Sequence, residues 1–204
     1  MNDPLDIVVA AIAAGEVVVI PTDTVYGLAC DPADATAVER VYVIKERPAG
    51  LELTLLAASL ADVEAAVDLD DTARALAGRF WPGPLSIVAP VAARRLAIPR
   101  HGSTLSTRVP NHALLLELLS RTGPLATTSA NRHGAPPATD ADGARAALGE
   151  AVAAVLDGGP AAGLASTIID CSRTPPEVLR EGPIPTADLV PSAPIQTTTR
   201  YDAG

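Results

Sequence analysis

Glu16–Thr22 reads EVVVIPT, a run of β-branched residues that ends at Pro21. Such residues pack well on a pleated surface, and a short apolar run bounded by turn residues marks a buried strand. Upstream, Leu5–Ala14 reads as a helix capped by Asp3 and stopped at Gly15. Downstream, Asp34 caps a helix through about Ile44, and Leu53–Ala58 is a second strand. Ser59 caps a short helix over Leu60–Val67, and Asp70 or Asp71 starts another that runs to Phe80 before Trp81-Pro82-Gly83-Pro84 breaks it. Leu85–Val91 is strand-like again.

The second half repeats the alternation. Ser103–Val109 is a strand, Asn111 caps a helix over His112–Arg121, and Leu125–Ser129 is a strand. Asp140 or Asp142 starts a helix to Leu148, and Val152–Leu156, Ser166–Cys171 and Glu177–Arg180 are short strands. The last two flank a turn around Ser172–Pro176 and form a hairpin, so the sheet is mixed rather than purely parallel. Strands alternating with helices imply a three-layer α/β domain, here one domain over 5–182. From 183 to 204, Pro, Ser, Thr and Ala dominate, as in a tail or an arm laid over the body.

Composition narrows the function. Of 204 residues, 48% are hydrophobic and 19% charged, ample for a core and unlike a disordered chain. A net charge of −9 argues against a broad basic surface for phosphate backbones. The five aromatics are scattered and cannot make a stacking platform for single strands. Cys30 and Cys171 lie apart in apolar stretches and read as small core residues, not a disulfide or a zinc site. Met1-Asn2-Asp3-Pro4 lacks the basic region of a signal peptide. No apolar run nears the roughly 20 residues that span a bilayer, so the expected location is the cytoplasm. Fourteen Arg accompany a single Lys, Lys45. A lone ammonium in an Arg-rich chain points to a place where a planar guanidinium would not serve.

Familiar catalytic signatures are missing: no GxxxxGK[ST], GxGxxG, HExxH or GxSxG occurs. His101, His112 and His133 lack metal-ligand spacing and read as solvated, so no protein metal site is expected. What remains is a series of polar clusters at strand ends: Pro21–Gly27, Lys45–Pro48, Ser106–Pro110, Thr127–Asn131, Ser166-Thr167 and Arg180. In open α/β sheets ligands bind in the crevice beyond the strand ends. Cations with hydroxyl and amide donors there would make an anion pocket, most plausibly for phosphate.

In this order the clusters are recognisable. PTDTVYGL from Pro21, KERP from Lys45, WPGPLS from Trp81, STRVPNH from Ser106, TSANRHGAPP from Thr128, DGGPAAGLASTIID from Asp157 and VLREGPI from Val178 resemble the YrdC/Sua5 family. These are the L-threonylcarbamoyladenylate synthases, in their short bacterial form. The resemblance implies a three-layer YrdC-like domain, a twisted mixed β-sheet flanked by helices with a concave ligand cleft. It implies that a carbamate formed from L-threonine and bicarbonate or CO2 attacks the α-phosphate of ATP, for N6-threonylcarbamoyladenosine formation on tRNA. Lys45 and Arg47 would be catalytic. Lys45, Thr104, Ser129, Asn131 and Arg180 would bind ATP, and Thr24, Tyr26, Arg47, Arg108, Thr127 and Ser166 would bind threonine. Mg²⁺ would be held mainly by the ATP phosphates. The implied partner is a downstream threonylcarbamoyl-transferase complex, with weak or absent tRNA binding and no membrane.

The chain departs from the family pattern at Leu51-Glu52, where a basic residue and a Pro-Leu or Gly-Leu step are usual. It departs again at Glu181, which puts an acid beside Arg180; the two changes would either lower ATP affinity or mark a specialised paralogue. Two other readings stay open: an RNA-binding module without turnover, and a paralogous carbamoyl-transfer or adenylyl-transfer enzyme acting on another substrate.

Overall fold

The computed structural model describes residues 3–48, 51–92, 96–98 and 102–189. His101 and most of the proposed arm, 190–204, lie outside the described residues.

Nine strands among these residues form one sheet: β1 (Val18–Ile20), β2 (Gly27–Cys30), β3 (Thr54–Leu56), β4 (Leu85–Pro90), β5 (Thr104–Arg108), β6 (Leu125–Ser129), β7 (Ala154–Val155), β8 (Thr167–Asp170) and β9 (Glu177–Arg180). Their order across the sheet is β7-β1-β2-β6-β3-β5-β4-β8-β9. The pairs β1/β7, β3/β5 and β4/β8 are parallel and the others antiparallel, so the sheet is mixed, with β8 and β9 as the expected hairpin.

The helices are α1 (Pro4–Ala13), α2 (Ala35–Lys45), α3 (Leu60–Glu64), α4 (Asp71–Phe80), α5 (Ala113–Thr122), α6 (Ala141–Leu148) and α7 (Thr186–Leu189). Their starts follow side-chain chemistry, since free N–H groups at a helix start need acceptors. Asp34 accepts from Thr36 and Ala37, Asp70 from Ala73 and Asp140 from Gly143. One cap differs from expectation: His112, not Asn111, caps α5, its ring accepting from the Leu115 N–H while Asn111 faces solvent.

Successive strand residues face opposite sides, and this splits the core in two. Val19, Leu55, Ile87, Leu105, Ala126 and Ile169 face α2, α4 and α6, where Val41, Leu76 and Leu148 are buried. On the opposite side Val18, Ile20, Leu56 and Leu125 meet Leu5, Val8 and Ile12 of α1 and Leu115, Leu118 and Leu119 of α5. Each such side chain contributes about 1.5–3 kcal/mol when fully buried, so truncating Leu118 to Ala would cost about 2–5 kcal/mol. No residue of β5, β4, β8 or β9 joins this second cluster. Among the described residues, helices thus pack on one face along core positions from β1 to β8 and on the other only over β7, β1, β2, β6 and part of β3, while Val88, Ile168 and Leu179 form a small separate buried cluster.

The strand β2 was hidden in the sequence. Its residues, Gly-Leu-Ala-Cys, have almost no β-branched character, and pairing on both sides by β1 and β6 holds them. Gly27 is needed there: a Cβ at that position would stand 2.8 Å from Thr127 Cγ2.

Candidate active site

The helix-free part of the sheet is where the polar residues gather. Leu56 pairs with Arg108 on β5, Ser86 with Ile168 on β8, and Ile168 with Arg180 on β9. Extending the β4/β5 register by one residue sets Ser86 opposite Arg108. Leu56, Arg108, Ser86, Ile168 and Arg180 thus form a row across the floor of one pocket, which Thr127 and Ser129 of β6 also line. The strand-end crevice expected from the sequence is therefore corrected: the site lies on a sheet face. Parallel doubly wound sheets have helices on both faces and only their ends free, whereas among the described residues no helix of the second cluster packs on this part of the mixed sheet.

Beyond β1 the chain turns on Thr22. Its hydroxyl accepts from the N–H of Thr24 at 3.0 Å and of Val25 at 3.2 Å, and donates to Val25 O at 2.6 Å. This aims Thr24 at Arg108, whose Nη1 donates to Thr24 Oγ1 at 2.9 Å while Nε donates to Gly83 O at 2.9 Å. Nη2 pairs with Asp23, and both groups are largely buried. Burial pulls the Arg108 pKa down and the Asp23 charge opposes it. Asp23 was missed in the sequence reading because nothing local distinguishes it from a turn residue.

Tyr26 is fully buried. Its hydroxyl donates to Gly159 O at 2.8 Å and accepts from Gly158 N at 3.1 Å, docking the 157–165 loop over β2. Burial raises its pKa. Gly158 fits because a Cβ there would lie 2.6 Å from Pro21 and 2.7 Å from His112 Cε1. His112 is therefore half-buried rather than solvated, while His133 is exposed as expected.

Lys45, the last residue of α2, has no solvent exposure, and its ammonium donates to Ser129 O at 2.7 Å, Asn131 Oδ1 at 2.8 Å and Asn131 O at 3.0 Å. Burial, then the charge of Arg47, lowers its pKa to about 7. Asn131 is also fully buried, with Oδ1 accepting from Ser129 Oγ at 2.6 Å and Nδ2 donating to Ala135 O at 2.5 Å. Neither Lys45 nor Asn131 lines the pocket. They order the turn that carries Ser129.

Arg47 does line the pocket, with Nη1 donating to Thr128 Oγ1 at 3.2 Å. Arg180 reaches it through a β-bulge: Ile168 pairs with Arg180 and Ile169 with Val178, leaving Leu179 as the extra residue. Without that insertion Arg180 would fall on the helix-covered face. Its guanidinium donates to Ser166 O at 2.9 and 3.0 Å and to Ser166 Oγ at 3.2 Å. Ser166 Oγ in turn shares a hydrogen bond with Ser86 Oγ at 3.0 Å. Thr104 shares the strand face of Arg108 but is not among the pocket-lining residues.

Thr24, Tyr26, Arg47, Arg108, Thr127, Ser129, Ser166 and Arg180 are thus brought together, and Ser86, Thr54 and Glu52 line the pocket without having been expected there. The signal for Ser86 and Thr54 was present, as polar residues at alternate positions of otherwise apolar strands. Glu181 turns away from the pocket: it is exposed, and its carboxylate accepts from the Thr186 N–H at 3.0 Å and from the Thr186 hydroxyl. The Thr186 hydroxyl, then its N–H, lowers the Glu181 pKa.

Residues 10–182 match the profile of the Sua5/YciO/YrdC family, described as telomere recombination. The chain belongs to the Sua5/YciO/YrdC family. Within it, a Mycobacterium leprae protein is 44% identical over 186 residues, covering 89% of this chain and 84% of that one. The threonylcarbamoyl-AMP synthase of Bacillus subtilis is 37% identical over 193 residues, covering 90% of this chain and 55% of that one. The solved structure of Pyrococcus abyssi Sua5 complexed with L-threonine superposes with a TM-score of 0.87 at 33% identity, covering 93% of this chain and 57% of that one. This chain therefore spans little more than half of those two longer Sua5/YciO/YrdC proteins. The three-layer mixed-sheet fold expected of the family is the one observed. Among the described residues, no helix is long and apolar enough to cross a membrane, and no three His, Cys, Asp or Glu gather as a metal site.

Proposed function

We propose that this protein is a cytoplasmic nucleotidyltransferase that joins the carbamate of L-threonine, formed with bicarbonate or CO2, to the α-phosphate of ATP. A carbamate oxygen attacks the α-phosphorus, the bond from that phosphorus to the bridging oxygen of the β-phosphate breaks, and pyrophosphate leaves. The observation that carries this reading is the cation-bearing, hydroxyl-lined pocket on the open sheet face, in a domain whose solved relative was crystallised with L-threonine.

Two anions must be brought together and no side-chain nucleophile is required, so the protein's work is positioning and charge stabilisation. Thr24, Tyr26, Arg108, Thr127 and Ser166 form the threonine side. The Asp23 carboxylate and the Gly83 carbonyl hold the Arg108 fork in place, so that Thr24 and Arg108 act as one fixed surface. Ser129, Thr104 and Arg180 serve the nucleotide. Arg47 meets the reacting anion with a planar fork, and Lys45 acts by fixing Ser129 and Asn131. Bound magnesium supplies neutralising charge to the phosphates. That cation would be held mainly by the ATP phosphates and water. The threonylcarbamoyl-adenylate so formed passes to a threonylcarbamoyl-transferase complex, and the acidic chain itself binds tRNA weakly or not at all.

The test is pyrophosphate release from ATP with Mg²⁺ and bicarbonate, with and without L-threonine, with the nucleotide product weighed by mass spectrometry. Threonine-dependent release of a product with the threonylcarbamoyl-adenylate mass is expected. Equal release with another amino acid would change the substrate, and no release from folded protein would overturn the reading.

A further inference from the structure

Ser86 lines the pocket and has no role in the reading above. It sits on β4, an interior strand, and is 1% exposed. Val88, two residues on and so on the same face, is apolar, as is Ile168, the partner of Ser86 on β8. A buried hydroxyl in such a place costs stability unless it is hydrogen-bonded. Ser86 is bonded to Ser166, with the two Oγ atoms 3.0 Å apart.

The backbone around Ser166 is held from three sides. Arg180 donates to Ser166 O from Nε at 3.0 Å and from Nη2 at 2.9 Å. The next residue, Thr167, donates its N–H to Pro84 O at 3.0 Å. Gly182 packs so closely that a Cβ there would lie 2.7 Å from Ser166 C. With the main chain fixed, the direction of the Ser166 proton depends on the hydrogen bonds of its own hydroxyl.

A serine hydroxyl has one proton to donate and two lone pairs that accept. Arg180 Nη2, which only donates, occupies one lone pair at 3.2 Å. The bond to Ser86 runs in one of two directions. If Ser166 donates, its single proton is used inside the protein. If Ser86 donates, both lone pairs are filled and the Ser166 proton is left for the pocket. The second arrangement suits an anionic ligand. Ser166 is 7% exposed against 1% for Ser86, so Ser166 is the hydroxyl that a ligand meets. Accepting from a guanidinium also polarises a hydroxyl and strengthens its own donation.

We propose that Ser86 is a positioning residue for the amino-acid substrate: it donates to Ser166 Oγ and leaves the Ser166 proton to an anionic oxygen of that substrate. This rests on the reading above that places Ser166 on the threonine side. Ser86 acts through Ser166 and not by its own contact with substrate.

The test is the pyrophosphate assay on the full chain, with saturation curves for L-threonine and for ATP. Ser86→Ala should raise the L-threonine KM about three- to tenfold, as expected for one neutral hydrogen bond, and leave the ATP KM unchanged. Ser86→Cys, close in size but with a weaker donor, should fall between wild type and Ser86→Ala. The double variant decides. Ser166→Ala alone should raise the L-threonine KM at least as much, and adding Ser86→Ala to it should change nothing further. If the two losses multiply in the double variant, Ser86 meets the substrate itself and the proposal fails. It fails too if Ser86→Ala raises only the ATP KM, because the hydroxyl would then serve Arg180, or if the folded variant keeps both constants. Absence of L-threonine-dependent release by wild type itself would remove the reading of the site and this proposal with it.

Discussion

The Lys45 ammonium sits 2.8 Å from Asn131 Oδ1, and neither residue has any exposure to solvent. Around that nitrogen the backbone oxygens of Ser129 and Asn131, at 2.7 and 3.0 Å, and the Ser129 hydroxyl at 3.4 Å complete a cage of four acceptors for three N–H donors. The only lysine of the chain therefore stands where a compact point donor is required, and a flat five-donor guanidinium cannot place its hydrogens the same way.

Lys45→Arg should destabilise the fold by about 1–3 kcal/mol, in the range of broken buried polar networks, and lower turnover despite keeping the charge. Urea unfolding together with the pyrophosphate assay checks this. Wild-type turnover and stability would show that the cage accepts any cation.

Stability should peak near pH 9. Lys45 titrates in the folded chain at about 7, against an ordinary 10.5, so between those values the unfolded chain holds a proton that the folded chain lacks. Stability then rises with pH, by at most about 1.4 kcal/mol per unit. Cys30 and Cys171 act in the other direction: burial pushes both thiols from 9.0 up to about 12. Above pH 9 the unfolded chain loses protons that the folded chain keeps, and stability falls. Urea midpoints measured from pH 7 to 11 would trace the rise and fall, and Lys45→Met should remove the rise and steepen the fall between pH 9 and 10.5.

Asp23→Asn should cost about 3–5 kcal/mol, because it leaves the buried Arg108 guanidinium without its counter-charge. Adding Arg108→Met to Asp23→Asn should recover part of that loss in a double-mutant cycle. Strict additivity of the two changes would show that the pair is not coupled.

The legible part of this fold was the set of strands built from Val, Ile and Leu and the helices capped by Asp or Ser. Both signals are local. Gly27–Cys30 could not be seen because its strand state comes from neighbours on either side. The site residues could be named because they are polar breaks in apolar runs, but their arrangement on one face could not be. That depends on which half of the sheet α1 and α5 do not pack against, and on one extra residue at Leu179. The direction of the Glu181 side chain could not be read for a related reason: adjacency to Arg180 in the chain says nothing of direction, and Thr186 captures the carboxylate.

Glu181→Ala should accordingly leave nucleotide affinity within about twofold of wild type, as for other exposed charges, whereas Arg180→Ala should weaken it clearly. Calorimetric titration of both variants decides this. A large gain in affinity for Glu181→Ala would mean that the acid does face the ligand.

Two glycines should respond with opposite sign. At Gly182 a Cβ would lie 2.2 Å from Ala165 O and 2.6 Å from Thr167 N, so Gly182→Ala should cost more than about 2 kcal/mol and disturb Arg180. At Gly78, on the exposed side of α4, a Cβ would meet nothing within 4 Å. Gly78→Ala should therefore stabilise by about 0.5–1 kcal/mol. Thermal unfolding of the two variants gives both signs.

Most of the pocket floor, on β3, β5, β4 and β8, belongs to strands in the interior of the nine-strand order with partners on both edges, and Arg180 alone comes from the edge strand β9. Regions that open first in proteins are those with few buried contacts and exposed backbone hydrogen bonds, and these strands have neither weakness. The binding surface therefore has no melting transition of its own and persists for as long as the domain does. A ligand that fills it pulls on the whole folding equilibrium, so its occupancy can be read as a shift in the global unfolding midpoint, with no label placed in the site.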